Sequence, residues 1–416
     1  MLMAMLWLFS HALRQSRLSV RCGCPLRHIC LLTMRPVQAD IRAQRTIQTL
    51  RKQGYCVTVV DVVEGSLLRT KCIASAQLRH LAVSPWRAIR RQHPWLFCWL
   101  TLLLFVRALW LLVRLPADAY HACDTAALPV CYLAACLRRK RLIYDAYELP
   151  LHAIPRAELN YVRRGWHLVL ACWLPYMLAR CAVVITVSPP IVTFLRRRYH
   201  LLRVILVRNM PVSRRVVRND LLRSRLRLPA TTRIALYQGY LQADRGLDLL
   251  VRAARYLAPD IVIVLMGQAS GPVRAELERL IADAHVAERV KILSPVPYES
   301  LLDWTASADL GLLLTPLDGT LNMRYSLPNK LFEYLMAGLP VLTAPLTAVS
   351  AIVQHYDAGR VLSELTPLRV ASEILALLND RITLALFRAH ALAAARECCW
   401  EREQEQLAAL YRTLLP

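Results

Sequence analysis

Cysteines at metal or redox spacing, more than a few lysines and an uninterrupted bilayer-length apolar run are what this sequence lacks. Its thirteen cysteines are scattered singly, apart from Cys22 with Cys24 and Cys398 with Cys399, and none shows C-x2-C spacing. That removes the usual zinc knuckle and the redox dithiol, and leaves the reading of reduced, mostly buried thiols in a cytosolic protein. Residues 1–26 hold an apolar run of about ten residues with no charged stretch before it, a poor signal peptide and too short to cross a bilayer. Residues 1–27 therefore read as an extension outside the fold. Only five of the 53 basic residues are lysine, and with so strong an arginine bias the basic excess could equally be a generally solvated face.

What is present is length, apolar content and an uneven charge. A chain of 416 residues with 56% hydrophobic residues exceeds a single comfortable core, and two domains are expected. Through residue 232 there are 36 Lys and Arg against 9 Asp and Glu, a charge of +27, whereas the remainder carries −3. Such a field suits an anionic partner: acidic lipid headgroups or a phosphorylated acceptor. No nucleic-acid module accompanies the charge, so nucleic acid is not an expected partner.

Apolar runs alternate with helical segments along the whole chain. In the first half, strands are expected at 30–33, 56–63, 120–124, 142–148, 182–188 and 204–209. In the second they are expected at 233–239, 261–267, 290–296, 310–316 and 340–345. Strand–helix–strand repetition implies parallel sheets, and the polar stretch from Pro211 to about Thr232 divides two Rossmann-like series. The expected domains are 28–215 and 216–395, with 396–416 as a closing helix. In open sheets of this kind ligands bind beyond the carboxyl ends of the strands.

Two aromatic, acid-free segments stand apart. PWLFCWLTLLLFVRALWLLV at 94–113 has basic flanks and Arg107 in its body, and YVRRGWHLVLACWLPYMLAR at 161–180 has the same mix. At ~1.5 Å per residue Trp95 to Val113 reaches roughly 28 Å, marginal for a span. Segments 87–114 and 161–180 are therefore expected to lie against a membrane surface, with a buried core helix and a transmembrane helix as the alternatives.

The run NMRYSLPNKLFEYLMAGLP at 322–340 carries the densest chemistry. A helix after Pro328 puts Asn329 and Lys330 at its amino end, where free N–H groups favour a phosphate, and Glu333 one turn deeper for a ribose diol. Gly338 and Pro340 end it. The loop GYLQADRGLDLL at 239–250 places Gly239 at a strand end and Arg245 and Gly246 at the next helix entry, while Gly267 ends the following strand and allows close backbone approach. Taken alone, Lys330 and Glu333 could equally be a plain surface pair.

With TMRPVQADIRAQR, LIYDAYEL, VITVSPPI, VRNMP, SADLGLL, SLPNKLFEY and the closing WEREQEQLAALYRTLL, these segments resemble the family-4 glycosyltransferases from about residue 28 onward. The resemblance implies a GT-B fold: two tandem Rossmann-like domains, a cleft between them, and a last helix crossing back to the first. It implies a retaining, metal-independent transfer from a nucleotide-diphosphate sugar, with no cofactor. Arg245 matches the residue that grips the donor diphosphate, Glu333 the second glutamate of E-x7-E, and Lys330 adds charge near the phosphates. A lipid-linked or saccharide acceptor at the cytoplasmic membrane face, in envelope synthesis, is the expected setting.

The sequence departs from the family pattern at several places. Tyr325 stands where the first glutamate of E-x7-E would be, and Tyr240 where many relatives have arginine. The His-x-His-Asp-like run appears as His121, Ala122, Cys123 and Asp124, and Tyr147 replaces a common histidine between Asp145 and Glu148. His121, Asp124, Asp145 and Glu148, all read as strand-end residues, are the catalytic candidates, with Asp40 and Arg42 as weaker acceptor-side ones. An inactive sugar-nucleotide-binding scaffold of the same fold is the alternative.

Overall fold

The computed structural model describes residues 27–64, 76–83, 94–153 and 161–416. Apart from Arg27, the expected extension 1–27 lies outside the described residues, as do 87–93 of the first membrane segment. The chain divides into two compact units. The second holds Ser188–Pro190 and Arg208–Glu403, and the first holds the residues before Ser188, Ile191–Val207 and Gln404–Pro416.

The first unit is built on seven parallel strands: β1 (His28–Thr33), β2 (Cys56–Glu64), β3 (Gln77–Val83), β4 (Ala119–Cys123), β5 (Arg141–Ala146), β6 (Val183–Thr186) and β7 (Val204–Leu206). Their order is β3-β2-β1-β4-β5-β6-β7. The second is built on six: β8 (Arg233–Gln238), β9 (Ile261–Met266), β10 (Val290–Leu293), β11 (Leu310–Leu313), β12 (Val341–Thr343) and β13 (Gly359–Val361), in the order β10-β9-β8-β11-β12-β13. These are two Rossmann-like domains of the GT-B fold. Central strands such as β9 are buried along their whole length, as apolar runs covered by helices on both faces must be.

Strand order reverses between β1 and β4 in one sheet and between β8 and β11 in the other. At such a point the loops leaving the two strands diverge and open a crevice at their carboxyl ends. Both candidate sites lie there.

Two strands went unread in the sequence. β3, QLRHLAV, and β13, GRV, are the outermost strands of their sheets, and neither shows the apolar run that marked their neighbours. An edge strand needs only one paired side, so its composition is freer.

The first unit gives way to the second at Val207, earlier than the 215 boundary drawn from polarity, and Gln404 rather than 396 begins the closing segment. The reason is local pairing in the second unit. Glu403 accepts hydrogen bonds from the Arg208 amide and Nε at 2.6 and 2.8 Å, and the Trp400 amide donates to the Pro211 carbonyl at 2.8 Å. Beyond it, Gln404–Pro416 packs within the first unit, where Tyr55 and Arg27 donate to the Leu415 and Pro416 carbonyls.

Candidate active site

In the second unit the site begins with Tyr334. The helix Asn329–Met336 is preceded by Pro328 and ended by Gly338 at φ 63°, the left-handed turn that glycine tolerates best. Its Tyr334 ring lies against Gly311 of β11, where a Cβ would come within 2.7 Å of the ring. The Tyr334 hydroxyl accepts from the Gln238 amide at 3.2 Å and donates toward the Leu236 and Leu312 carbonyls at 3.1 and 3.3 Å. The helix is thereby pinned across the β8–β11 reversal, and its first turn points at the end of β8.

Lys330 and Glu333 follow from that placement. The Lys330 ammonium lies 3.7 Å from the centre of the Tyr237 ring, and its terminal atoms pass over Gly239, where a Cβ would sit 3.4 Å away. Glu333 is buried, and its carboxylate accepts from Gln238 Nε2 at 2.7 Å, while Gln238 Oε1 accepts from Thr305 at 2.7 Å. Glycine is needed at two further points. A Cβ on Gly267 would fall 1.7 Å from the Gly239 carbonyl, and one on Gly246, at φ 71°, would fall 2.2 Å from the Leu314 carbonyl. The loops leaving β8, β9 and β11 therefore pack backbone to backbone, with the Gly239 and Gly267 amides donating to the Met266 and Leu293 carbonyls at 3.0 Å each.

Arg245 ends a 3-10 turn beside this cradle, held loosely by Gln242 at 3.3 Å and Asp244 at 3.4 Å. Burial, and then the charge of Arg245, push the Lys330 ammonium down to about 7, with Glu333 and Asp244 opposing. A buried ammonium beside a second cation forms a receptor for an anion that would neutralise both. Asn329 is exposed at the helix start, so the structure brings Gly239, Arg245, Gly246, Gly267, Asn329, Lys330 and Glu333 to one strand-end region. Tyr240 points outward and is 65% exposed, while Tyr325 closes the short helix Leu321–Tyr325.

The first unit's candidates divide into two groups. Asp124 directly follows β4 at φ 74°, caps the Ala126 and Ala127 amides at 2.8 and 3.2 Å, and pairs with Arg35 at 3.4 Å. Burial raises its carboxyl to about 6; Arg35 opposes this and Asp40 adds to it. Glu148 is exposed beyond β5. Asp40 is buried; one oxygen caps Ala43 at 2.9 Å, and the other has no hydrogen-bond partner in the structure. Thr33 Oγ1 is likewise buried and unpaired, and burial raises the Asp40 carboxyl.

His121, Asp145 and Arg42 correct the expectation. His121 is the middle residue of β4, not its end, and has no exposed surface; its Nδ1 hydrogen-bonds the Tyr411 hydroxyl and its ring stacks on Tyr411. Asp145 lies within β5, buried, with Arg42 donating to both its oxygens at 2.9 and 2.7 Å and to the Val207 carbonyl at 2.8 Å. Burial alone would raise the Asp145 carboxyl, but Arg42 and the neighbouring His121 hold it below the ordinary range. These three form a core network joining β4, β5, the helix Ile41–Lys52, the residue after β7 and the closing helix, and all three are buried. Strand-end reasoning failed here because the strands end one residue after His121's neighbour and one after Asp145 itself.

Four partners escaped the sequence reading: Arg35, Tyr237, Gln238 and Tyr411. Arg35 sits in the quoted TMRP run directly after β1 and could have been singled out by that position. The others are buried strand or helix residues whose roles depend on what folds against them. Among the described residues no three His, Cys, Asp or Glu side chains are grouped to hold a metal ion.

Residues 232–380, all in the second unit, match the family described as glycosyl transferases group 1. A D-inositol 3-phosphate glycosyltransferase from Catenulispora acidiphila is 29% identical over 206 residues, 47% of this chain and 48% of its own. One from Xylanimonas cellulosilytica is 30% identical over 203 residues, 48% and 47% of the two chains. The chain spans about half the length of the curated relatives it matches. Among solved structures, sucrose-phosphate synthase from Thermosynechococcus elongatus superposes with a TM-score of 0.75 at 16% identity, covering 93% of this chain and 99% of that one. The Anabaena protein HepE in complex with UDP superposes at 0.70 and 16%, covering 93% and 100%.

Proposed function

We propose that this protein is a glycosyltransferase that moves a sugar from a nucleotide-diphosphate donor, held by the second unit, to an acceptor hydroxyl. The observation that carries the reading is the placement of the Lys330 ammonium over Gly239 at the carboxyl end of β8, beside the turn that ends in Arg245, where Gly239 and Gly267 pack too closely for any side chain at Gly267. As the acceptor oxygen bonds to the anomeric carbon, the bond to the diphosphate breaks and negative charge grows on the leaving oxygen. Lys330, Arg245 and the amino end of the Asn329–Met336 helix stabilise that charge where it develops, the part a metal ion would otherwise play. Glu333, oriented by Gln238, binds the ribose hydroxyls. Retention of configuration and metal independence rest on the resemblance to family-4 enzymes.

The acceptor side belongs to the first unit. Asp124, with a carboxyl near 6, is suited to take the proton released by the acceptor hydroxyl at neutral pH, and Arg35 to pair an anionic group on the acceptor. The relatives' names point to a polyol phosphate, and the basic first unit supports an envelope glycolipid or polysaccharide at the cytoplasmic face of a membrane.

Thermal unfolding with UDP, GDP and ADP and their sugar conjugates tests the donor site without an acceptor. A ligand at about 100 times its dissociation constant stabilises the fold by roughly 2.7 kcal/mol. A shift with one nucleotide series, lost in Arg245→Ala and Glu333→Ala, supports the reading. A folded protein that responds to none of them overturns it and leaves the inactive scaffold.

A further inference from the structure

The first unit turns an apolar face outward. The helix Pro94–Arg114 buries only one stripe, with Leu104, Ala108 and Leu112 spaced four residues apart, and leaves the opposite face to solvent: Trp95 is 83% exposed and Trp99 58%. The helix Tyr161–Arg180 does the same, burying Leu174, Met177 and Leu178 while Trp173 and Tyr176 are 58% and 69% exposed. Phe105 and Trp166 meet edge to face at 6.1 Å, which joins the two helices. The helix Leu128–Arg138 packs beside both and adds exposed Leu133 and Leu137. A patch of this kind is far larger than scattered surface leucines account for.

Its chemistry selects the occupant. The three helices contain no Asp or Glu, and exposed Arg107, Arg114 and Arg180 stand among or beside the apolar residues. Arg114 stacks 3.7 Å over Trp110, a side chain whose apolar stem and charged head suit two media at once. Tryptophan and tyrosine with arginine and no acid is the composition that the headgroup layer of an anionic bilayer accepts.

We propose that this three-helix face docks the first unit onto an anionic phospholipid surface, with Pro94–Arg114 lying in the interface plane. The helix is long and apolar enough to cross a membrane, at a mean hydropathy of 2.3 over its most apolar 18 residues. A crossing would strip Leu104, Ala108 and Leu112 from the unit's core and carry Arg107 toward the bilayer centre. Docking costs neither. The inference rests on the proposed transfer reaction only for what the membrane presents; attachment itself stands on this face.

Flotation of the full chain with phosphatidylcholine vesicles, with and without phosphatidylglycerol, tests it. The expected result is binding to the phosphatidylglycerol vesicles that weakens with salt. Trp99→Ser with Trp173→Ser, and separately Arg107→Glu with Arg114→Glu, should each weaken it at least about tenfold. The nucleotide-induced thermal shift, read in the same preparations without lipid, should stay as in the parent and shows that the variants are folded. Failure to float, or variants that float as well as the parent, overturns the proposal. So does concentration-dependent self-association without lipid that the tryptophan variant abolishes, which would make a second copy the occupant. A lost thermal shift with intact flotation would instead strike the donor reading alone.

Discussion

The Lys330 ammonium lies 3.7 Å above the ring of Tyr237 and over the backbone of Gly239, with its proton affinity lowered by burial and by Arg245. The relationship makes the proposed donor site sensitive to pH. Between about 7 and the ordinary lysine value of 10.5 the unfolded chain holds a proton that the folded one does not, so this group's contribution to stability rises with pH across that window. Diphosphate binding works the opposite way, because the anion favours protonated Lys330. Affinity for the nucleotide diphosphate should fall by up to about tenfold per pH unit above pH 7. Lys330→Gln should weaken binding by roughly tenfold to a hundredfold at pH 7 and flatten the pH dependence, as read by titration calorimetry.

Gly267→Ala should be destructive for a separate reason. Its Cβ would fall 1.7 Å from the Gly239 carbonyl, a backbone atom that cannot rotate away. The loop carrying Gly239 must shift, at a cost of about 1–3 kcal/mol, and nucleotide binding should be lost even where the protein stays folded. Gly165→Ala is the control: nothing lies within 4 Å of the added Cβ in an exposed helix, and stability should rise by roughly 0.5–1 kcal/mol.

Gly311→Ala tests whether packing positions the chemistry. The new methyl meets the Tyr334 ring at 2.7 to 3.0 Å, so the helix bearing Lys330 and Glu333 has to move. Denaturant unfolding should show a loss of about 1–3 kcal/mol, and the nucleotide dissociation constant should rise although no ligand-facing atom has changed.

Arg42→Met removes one partner of the buried pair with Asp145. Leaving that carboxylate unpaired should cost about 3–5 kcal/mol at neutral pH. Because the folded-state carboxyl lies below its ordinary value, the pair stabilises the protein above the unfolded-state pKa and this is lost as pH falls through the folded one. Urea midpoints at pH 7 and in acid should therefore converge between parent and variant as pH drops. A variant with unchanged midpoints at both would show that the network is not structural.

Much of the fold was legible because buried parallel strands need continuous apolar residues. IVIVLM could hardly be anything but β9, and RIALYQ and the glycine after it mark β8 and its carboxyl end. The grouping of Gly239, Gly267 and Lys330 was legible for a related reason: glycines at strand ends and a lysine in the first turn of a helix are constraints on backbone and charge that leave local traces. The interior of the first unit was less so. His121 and Asp145 carry the residue types of catalysis, but whether such a group meets substrate or core depends on what covers it. Here the cover includes Tyr411, some 290 positions away in sequence.

By itself, then, the sequence determined the two doubly wound halves, the central strands of each sheet, the helix start that carries Asn329 and Lys330, and the aromatic character of 94–113 and 161–180. These are local properties, written within a few residues of where they act. Tertiary structure decided the rest: that Gln238 orients Glu333, that Arg245 lowers the Lys330 ammonium, that Arg42 neutralises Asp145, and that the tryptophans face outward. Hydrogen bonds, field effects and burial depend on distance through space, and only folding brings residues far apart in the chain within a few ångströms of each other.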